Sequence, residues 1–378
     1  MGVYLFAVFI CLICAFRYDM QRQAKGYNWA FWGVCALLIV IAGLRYKIGA
    51  DTVNYMDDFS YVRELSRLSA QDFDNTRFMP GWILFASACK SICPQFVGLQ
   101  FVHAIILNVS IFIFIRAFAQ YRFTAILMYV LLAYLNLNTE ILRESLAMSV
   151  FLLAAAAFVR NRWPVYLLLC LAASMIHVSG IITFLFPIGK LLSIHSRKKL
   201  ILAILGTLVL SGSIWKLFQE HIIDFFVMKA IQEGAEAYLN DEHTYNLNGI
   251  IVHLITRCIA PLLVLFYALK FTNKSRQLIQ LTYIYAVIGA FILFNSVIFL
   301  RFQTYVTIPF LIIMGDTLTS LIRQRQSSVA LLLFAASAIP LYYSYFKHEG
   351  DINNTTLKEY IYQRYVPYQT WPAAFRPR

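Results

Sequence analysis

Two arginines and one histidine interrupt apolar stretches of this chain and could carry chemistry. Arg143 opens the run LRESLAMSVFLLA, Arg301 lies in FLRFQTYV, and His177 divides LAASMIHVSGII. A guanidinium group grips two phosphate oxygens through parallel hydrogen bonds, and an imidazole accepts a proton near neutral pH. These residues therefore suit an anionic ligand, with His177 as a candidate general base or phosphate ligand. Each also has a structural explanation: a snorkelling cation, a local ion pair or a core histidine.

Further candidates stand beside the same runs and could bind a phosphate or a sugar. The segment LRYKIGADTVNY combines two cations with amide and hydroxyl groups, although it could equally form an interfacial anchor. Glu140 and Glu144 flank Arg143 at helical spacing, so on a continuous helix all three share one face. His253 and Arg257 are also four residues apart. The candidate substrate-binding residues are Arg45, Lys47, Asp51, Thr52, Tyr55, Glu140, Glu144, His253 and Arg257.

The composition indicates which elements must position these residues. The chain has 378 residues, of which 60% are hydrophobic and 13% charged, and its mean hydropathy is +0.65. Soluble domains carry about 25% charged residues, so this chain has too few charged residues to cover the surface of a soluble globular protein. A soluble enzyme, a disordered chain and a secreted disulfide scaffold are excluded. We expect an all-α polytopic membrane bundle, in which the seven cysteines pack rather than bind metal.

The net charge of +13 lies in short basic clusters between the apolar runs. Such clusters orient membrane helices, and no soluble stretch could present a face to nucleic acid, so no nucleic-acid partner is expected. If residues 81–94 only dip into the bilayer and residues 163–188 form a re-entrant hairpin, nearly all clusters fall on one side, which is then cytoplasmic. The ten predicted full spans are 2–16, 28–44, 96–115, 123–138, 145–159, 200–216, 248–269, 278–298, 303–322 and 328–346.

This orientation places both termini and every long polar segment outside. The predicted transmembrane domain covers residues 1–346, with outer-face loops at 45–80 and 217–247, and residues 347–378 form an extracytoplasmic tail. The cytoplasmic loops are too short for a nucleotide-binding domain, and no phosphate-loop or dinucleotide motif occurs, so no cofactor is expected.

The cations of different spans are expected to converge on the outer face. They are Arg45, Arg143, His177, Arg257 and Arg301. Carboxylates do not accompany them at the same depth, whereas a metal-dependent site needs acidic ligands. The pattern therefore favours an anionic, lipid-linked substrate such as a polyprenyl diphosphate, bound without a metal.

Two other classes of function stay open on the residues alone. A lipid-linked oligosaccharide flippase needs cations through the whole depth of the bundle, whereas here they gather on one side. A membrane O-acyltransferase needs a histidine on the cytoplasmic side, whereas His177 is expected at an outward hairpin tip.

Five segments in this order resemble the EpsG-type polysaccharide polymerases, relatives of the Wzy O-antigen polymerases. They are LRYKIGADTVNY, RFMPGWILF, LRESLAMSVFLLA, LAASMIHVSGII and FLRFQTYV. The resemblance runs from about residue 40 to 310, and the tail segment YVPY is similar to a common ending. One departure is Phe78-Met79, where the family often has an acid before Pro80-Gly81.

The resemblance implies a multi-pass glycosyltransferase of the bacterial inner membrane with a GT-C-like fold. It would join repeat units carried on undecaprenyl diphosphate at the periplasmic face, with one lipid-linked glycan as donor and another as acceptor. Arg143 and Arg301 would hold the diphosphate, and His177 would accept the acceptor proton. Arg45, Asp51, Thr52 and Tyr55 would line the outer mouth. Membrane lipids, a flippase and a chain-length regulator are the further partners expected.

Overall fold

The computed structural model of the protein describes residues 2–49, 51–74, 78–218, 247–271, 276–292, 296–346, 365 and 368–371. Within these ranges the chain forms helices and loops, and a lone β-bridge pairs Arg45 with Thr370. The all-helical fold expected from the sequence is confirmed. The predicted outer loop 217–247 and most of the predicted tail 347–378 lie outside the described residues.

The α-helices follow one another without an intervening sheet in the described part of the chain. They are α1 (Gly2–Cys14), α2 (Tyr27–Gly43), α3 (Thr52–Tyr61), α4 (Gln71–Asp74), α5 (Pro80–Ile92), α6 (Phe96–Phe118), α7 (Arg122–Leu132), α8 (Leu142–Val159), α9 (Trp163–Ile176), α10 (Arg197–Phe218), α11 (Leu247–Leu254), α12 (Ala260–Phe271), α13 (Arg276–Phe291), α14 (Ser296–Tyr305), α15 (Thr307–Arg323) and α16 (Ser327–Phe346). Two 3₁₀ segments, Leu65–Arg67 and Val178–Leu192, complete the regular structure together with three π-helical turns.

Among the described residues, four helical stretches are long and apolar enough to cross a membrane. They are Gly2–Met20, Phe96–Phe118, Leu142–Val159 and Ile251–Phe271. A fifth span forms if α14 and α15 are one broken helix, since they meet at a bend of 60°. Each of the ten predicted spans contains a helix, but the remaining helices are shorter. Ten complete crossings therefore stay a prediction.

Each of the three π-helical turns in the described ranges contains a charged residue. They are Ala15–Met20 with Asp19, Asn136–Glu140 with Glu140, and Ile255–Ile259 with Arg257. A π turn widens the helix by one residue and re-aims the side chains that follow it. The expectation that Glu140 shares a helix face with Arg143 is wrong, because the chain leaves helical geometry at Ile141 (φ −103°, ψ 53°) and α8 begins only at Leu142.

Residues 163–192 form a hairpin of two antiparallel arms. The Tyr166 hydroxyl on α9 donates to the Thr183 carbonyl on the 3₁₀ arm. At the open end Lys190 Nζ donates to Asn161 Oδ1 at 2.7 Å and lies 4.6 Å from the Trp163 ring centroid. The turn between the arms falls at His177, as the sequence predicts.

Helix α8 packs along α9 and against α6. Its buried Ala147, Ala154 and Ala155 and the buried Ala173 of α9 are small, and small residues let neighbouring helices approach closely. The start of α8 and the end of α9 therefore lie at the same end of the bundle, which brings residue 143 near residue 177.

The opposite end of the bundle holds two buried acids that cap a helix. Asp316 Oδ1 accepts from the backbone N–H groups of Gln120 (3.0 Å) and Tyr121 (2.7 Å). Asp19 Oδ2 accepts from the Thr124 N–H at 2.6 Å. These N–H groups begin α7 and have no partner within the helix itself, so both carboxylates have a structural role there.

Candidate functional site

Arg143, Arg301 and His177 come together from three separate elements. Arg301 Nη1 lies 3.4 Å from His177 Nε2. Tyr55, Glu144 and His177 each interact electrostatically with both arginines, which places the two guanidinium groups around a shared centre. We call these five residues the arginine cluster.

The arginines form the open side of the cluster, and the acid and the imidazole form its floor. Arg143 and Arg301 are half-buried, whereas Glu144 and His177 are each only 3% exposed. The Arg143 guanidinium carbon lies 4.8 Å from the Phe78 ring centroid. Phe78 is one of the two residues at which this chain departs from the family pattern, and its ring contributes a cation–π contact.

Behind Arg301 the His177 ring belongs to a short polar chain. His177 Nδ1 lies 2.6 Å from Ser179 Oγ, which lies 3.1 Å from the Tyr305 hydroxyl. The Ser179 backbone N–H also lies 3.3 Å from His177 Nδ1 and donates to it. An arginine N–H is always a donor, so a hydrogen bond from Arg301 needs the lone pair of His177 Nε2, whereas the Ser179 N–H needs that of Nδ1. A neutral imidazole offers one of these lone pairs at a time, so its tautomer decides which of the two contacts is a hydrogen bond.

Sequence reasoning missed Ser179 and Tyr305. A usable signal was present, because Ser179 stands two residues after His177 and Tyr305 stands four residues after Arg301, one helical turn away. Arg301 lies inside the short helix α14, just before the bend into α15.

Tyr55, the last residue of the segment LRYKIGADTVNY, belongs to the cluster. Its side chain is 9% exposed and its ring packs 5.9 Å from that of Trp82. Burial raises the pKa of the Tyr55 hydroxyl, while Arg143 opposes that rise. Tyr55 is therefore a neutral hydrogen-bonding group beside the arginines.

Gly81 explains the Pro-Gly segment at the start of α5. A Cβ at position 81 would lie 2.7 Å from the Met175 carbonyl oxygen, a distance that real side chains do not tolerate. The missing side chain lets α5 pack against the end of α9, immediately before His177. Residues 80 and 81 therefore help to place the histidine.

Arg45 lies apart from the open side of the cluster. It is 1% exposed, its Nη1 donates to the Ala42 carbonyl, and its Nε donates to the Ile48 carbonyl at 3.3 Å. Its backbone forms the bridge to Thr370. This placement gives Arg45 contacts inside the protein, so a role in substrate binding remains a prediction without support from its position.

The far C-terminal segment is what covers Arg45. Tyr46 N–H donates to the Gln369 carbonyl at 2.9 Å, and Trp371 N–H donates to the Leu44 carbonyl at 3.1 Å. The Tyr365 hydroxyl donates to Glu140 Oε1. We call residues 44–46, 365 and 368–371 together with Glu140 the C-terminal clamp.

Three other residues of the segment LRYKIGADTVNY, namely Lys47, Asp51 and Thr52, lie next to this clamp in the chain. The Thr52 hydroxyl donates to the Ile48 carbonyl at 2.5 Å and lies 3.2 Å from the Thr139 carbonyl, and Asp51 directly precedes α3. Lys47 has a left-handed backbone (φ 52°), and its Nζ lies 5.4 Å from the Tyr46 ring centroid.

Arg257 and His253 form a separate group around α13 and α14. Arg257 Nη1 donates to Gln303 Oε1 at 3.2 Å, and Gln303 Nε2 donates to the Tyr285 carbonyl at 2.9 Å. His253 is half-buried and interacts with Arg257. The structure thus gives Arg257 partners of its own, and Gln303 is another residue that sequence reasoning missed.

In the described ranges no group of three His, Cys, Asp or Glu side chains is close enough to hold a metal ion. The cluster instead presents two guanidinium groups, a phenol, an imidazole and a carboxyl. Such a set binds an anion through charge-assisted hydrogen bonds.

These features define an all-helical membrane protein with a cationic cluster at one end of its helices. The chain belongs to the EpsG family, whose model matches residues 28–370. The match confirms the family that the five sequence segments indicated. Comparisons with curated proteins and with solved structures find no match. The family and the apolar helices together identify a membrane protein of polysaccharide biosynthesis, similar to a polysaccharide polymerase.

Proposed function

We propose that this protein is a glycosyltransferase that polymerises oligosaccharide repeat units carried on undecaprenyl diphosphate. The observation that carries the proposal is the meeting of Arg143, Arg301 and His177 in one half-open cluster. Two guanidinium forks match the two phosphate groups of a diphosphate. Membership of the EpsG family supports polymer formation as the outcome.

In the proposed reaction, a hydroxyl of the acceptor glycan attacks the anomeric carbon of the donor glycan. The bond from that carbon to the lipid diphosphate breaks, and negative charge grows on the departing oxygen. Arg143 and Arg301 stabilise this charge more strongly in the transition state than in the resting complex. The product is a longer lipid-linked glycan for an O-antigen, a capsule or an exopolysaccharide.

We place the reaction at the periplasmic face of the bacterial inner membrane. The basic clusters that follow the apolar runs support this orientation through the positive-inside rule. The proposed partners are the two lipid-linked glycans, membrane lipids, a flippase that delivers repeat units and a chain-length regulator.

The function is tested by the length of the glycan that cells produce. Arg143→Ala and Arg301→Ala should each cut polymerisation by ~10²–10³-fold, by analogy with the loss of one oxyanion-stabilising donor. Single-repeat glycan should then accumulate at normal protein levels. The matched control is Arg63→Ala, which removes a half-exposed surface arginine paired with Asp72 at 3.4 Å and should leave polymer length unchanged.

The same cells separate the competing functions. If the protein were a flippase, the variants would leave no repeat units at the outer face. If it were an O-acyltransferase, they would make polymer of normal length that lacks acyl groups. Either result contradicts the polymerase proposal, as does full-length polymer from both arginine variants.

Orientation is tested with single cysteines in a background without the native seven. Ser60→Cys, in the segment between α2 and α5, should react with a membrane-impermeant reagent only from outside. His195→Cys, after the hairpin, should react only from inside. Labelling of both positions from one side would overturn the outer-face assignment.

A further inference from the structure

Glu144 lies on the floor of the arginine cluster, and its role is open. It is 3% exposed, and no donor among the described residues forms a hydrogen bond with its Oε1. A buried carboxylate oxygen without a donor costs about 1–3 kcal/mol or more. Such a group in a folded protein calls for a functional explanation.

His177 has the opposite situation, because both of its ring nitrogens are engaged. Nε2 lies 3.4 Å from Arg301 Nη1, and Nδ1 lies 2.6 Å from Ser179 Oγ and 3.3 Å from the Ser179 backbone nitrogen. If the ring took up a second proton, the imidazolium would face the Arg301 guanidinium as a second cation. His177 is therefore poorly arranged to accept a proton and well arranged to orient Arg301.

Glu144 can accept a proton at the required place. It follows Arg143 directly in α8 and interacts with both arginines, so its carboxyl stands beside the proposed diphosphate site. The buried carboxyl has Arg301, the Thr304 hydroxyl and Arg143 as neighbours. A carboxyl at this position can accept the proton of a substrate hydroxyl and pass it on during a reaction cycle.

We propose that Glu144 is the catalytic base of the polymerisation and that His177 is a positioning residue for Arg301. The inference rests on the function proposed above. The acceptor oxygen bonds to the anomeric carbon while its proton passes to Glu144 Oε1. The bond between the anomeric carbon and the diphosphate oxygen breaks, and its electron pair leaves with the lipid diphosphate. Glu144 then returns the proton to water.

The experiment uses purified full-length protein in lipid nanodiscs with a polyprenyl-diphosphate-linked repeat unit. Glu144→Gln keeps the shape of the side chain and removes the base, so polymer formation should fall by ~10²–10⁴-fold. Binding of the donor lipid should stay within about threefold of wild type. Normal polymer formation by Glu144→Gln would overturn the proposal.

Azide distinguishes a catalytic base from a positioning residue. It replaces the acceptor hydroxyl as the nucleophile and has no proton to lose, so it needs no base but still needs correctly placed arginines. Glu144→Ala should make no polymer, and added azide should restore release of lipid diphosphate, with formation of the glycosyl azide, by at least about tenfold. His177→Ala should gain nothing from azide, since its Arg301 is misplaced. Rescue of His177→Ala instead of Glu144→Ala would overturn the base assignment and leave the polymerase function intact.

Two controls keep these outcomes apart. Thermal unfolding and gel-filtration behaviour should match wild type, and if Glu144→Ala does not fold, Glu144→Gln with the binding measurement decides the question. If wild-type protein releases no lipid diphosphate from donor and acceptor together, the proposed function fails, and the base assignment fails with it.

Discussion

The arginine cluster and the C-terminal clamp use the same residue types in opposite ways. In the clamp, Arg45 is 1% exposed and donates to the backbone carbonyls of Ala42 in α2 and of Ile48 in the following loop, and the C-terminal segment completes the enclosure. In the cluster, Arg143 and Arg301 are half-buried and rest on a buried acid and a buried imidazole. A buried cation with local acceptors holds a fold together, whereas a half-open cation on a polar floor is placed to meet a ligand.

The clamp also acts on the cluster through the chain between them. Glu140, which accepts from Tyr365, ends the π turn that leads through Ile141 into α8. Arg143 stands three residues later. The clamp therefore fixes the start of the helix that carries Arg143, although its own arginine does not face the open side.

The sharpest test of this division exchanges arginine for lysine in both regions. At Arg301, lysine keeps the charge but loses the planar fork, so polymerisation should fall by ~10–100-fold per folded molecule, less than for alanine. At Arg45, lysine cannot reproduce the two bonds to Ala42 and Ile48, so thermal stability should fall while the rate per folded molecule stays near wild type. The assay is polymer formation normalised to folded protein, with unfolding measured in parallel. A stable Arg45→Lys protein that has lost its activity would place Arg45 in the site and break the division.

A second test compares the hydrogen bonds that the two tyrosines of the clamp contribute to stability. Tyr365→Phe removes the bond to the Glu140 carboxyl, and a buried bond to an acidic group is worth about 1.5–3 kcal/mol. Tyr368→Phe removes the 2.8 Å bond to the neutral Ile41 carbonyl, worth about 0.5–1.5 kcal/mol. Denaturant unfolding should rank the variants in that order. Because Glu140 precedes Arg143, Tyr365→Phe should also slow polymerisation, whereas Tyr368→Phe should not. Polymerisation at the wild-type rate by Tyr365→Phe would show that Glu140 does not transmit the clamp's order to α8.

A third test concerns how the cluster is packed rather than its charges. Gly81→Ala introduces a Cβ against the Met175 carbonyl, and overpacking of this kind costs about 1–3 kcal/mol. The shift should also move His177 and lower the rate. The matched control is Gly33→Ala in α2, where nothing lies within 4 Å of the new Cβ and a helical alanine should stabilise by about 0.5–1 kcal/mol. Equal stability and activity in the two variants would remove Gly81 from the positioning of the site.

Much of the site could be predicted because charged residues in an apolar run are conspicuous and costly. A charged side chain at membrane depth needs a partner or a polar cavity, so Arg143, His177, Arg257 and Arg301 stand out in the sequence without any structure. Ser179, Thr304 and Tyr305 do not stand out in this way, because a hydroxyl is tolerated in a helix by donating to the preceding turn. The sequence marks Ser179 and Tyr305 only by their spacing from His177 and Arg301, and their contacts are visible only when α9, α14 and α8 are packed together.

The sequence by itself determined that the chain is a helical membrane protein whose long apolar runs contain helices, that a turn falls at His177, and which family the chain belongs to. Those properties follow from local apolarity and from short motifs, which do not depend on distant contacts. Only the tertiary structure decided which arginine is enclosed by the protein and which arginines lie at the open side of the cluster. Arg45 was drawn inward by a C-terminal segment more than three hundred residues away, the break at Ile141 after the π turn took Glu140 off the helix that carries Arg143, and the bend between α14 and α15 set Arg301 beside His177. Each of these outcomes depends on which residues of other helices supply hydrogen-bond partners, and spacing along the chain carries no information about that choice.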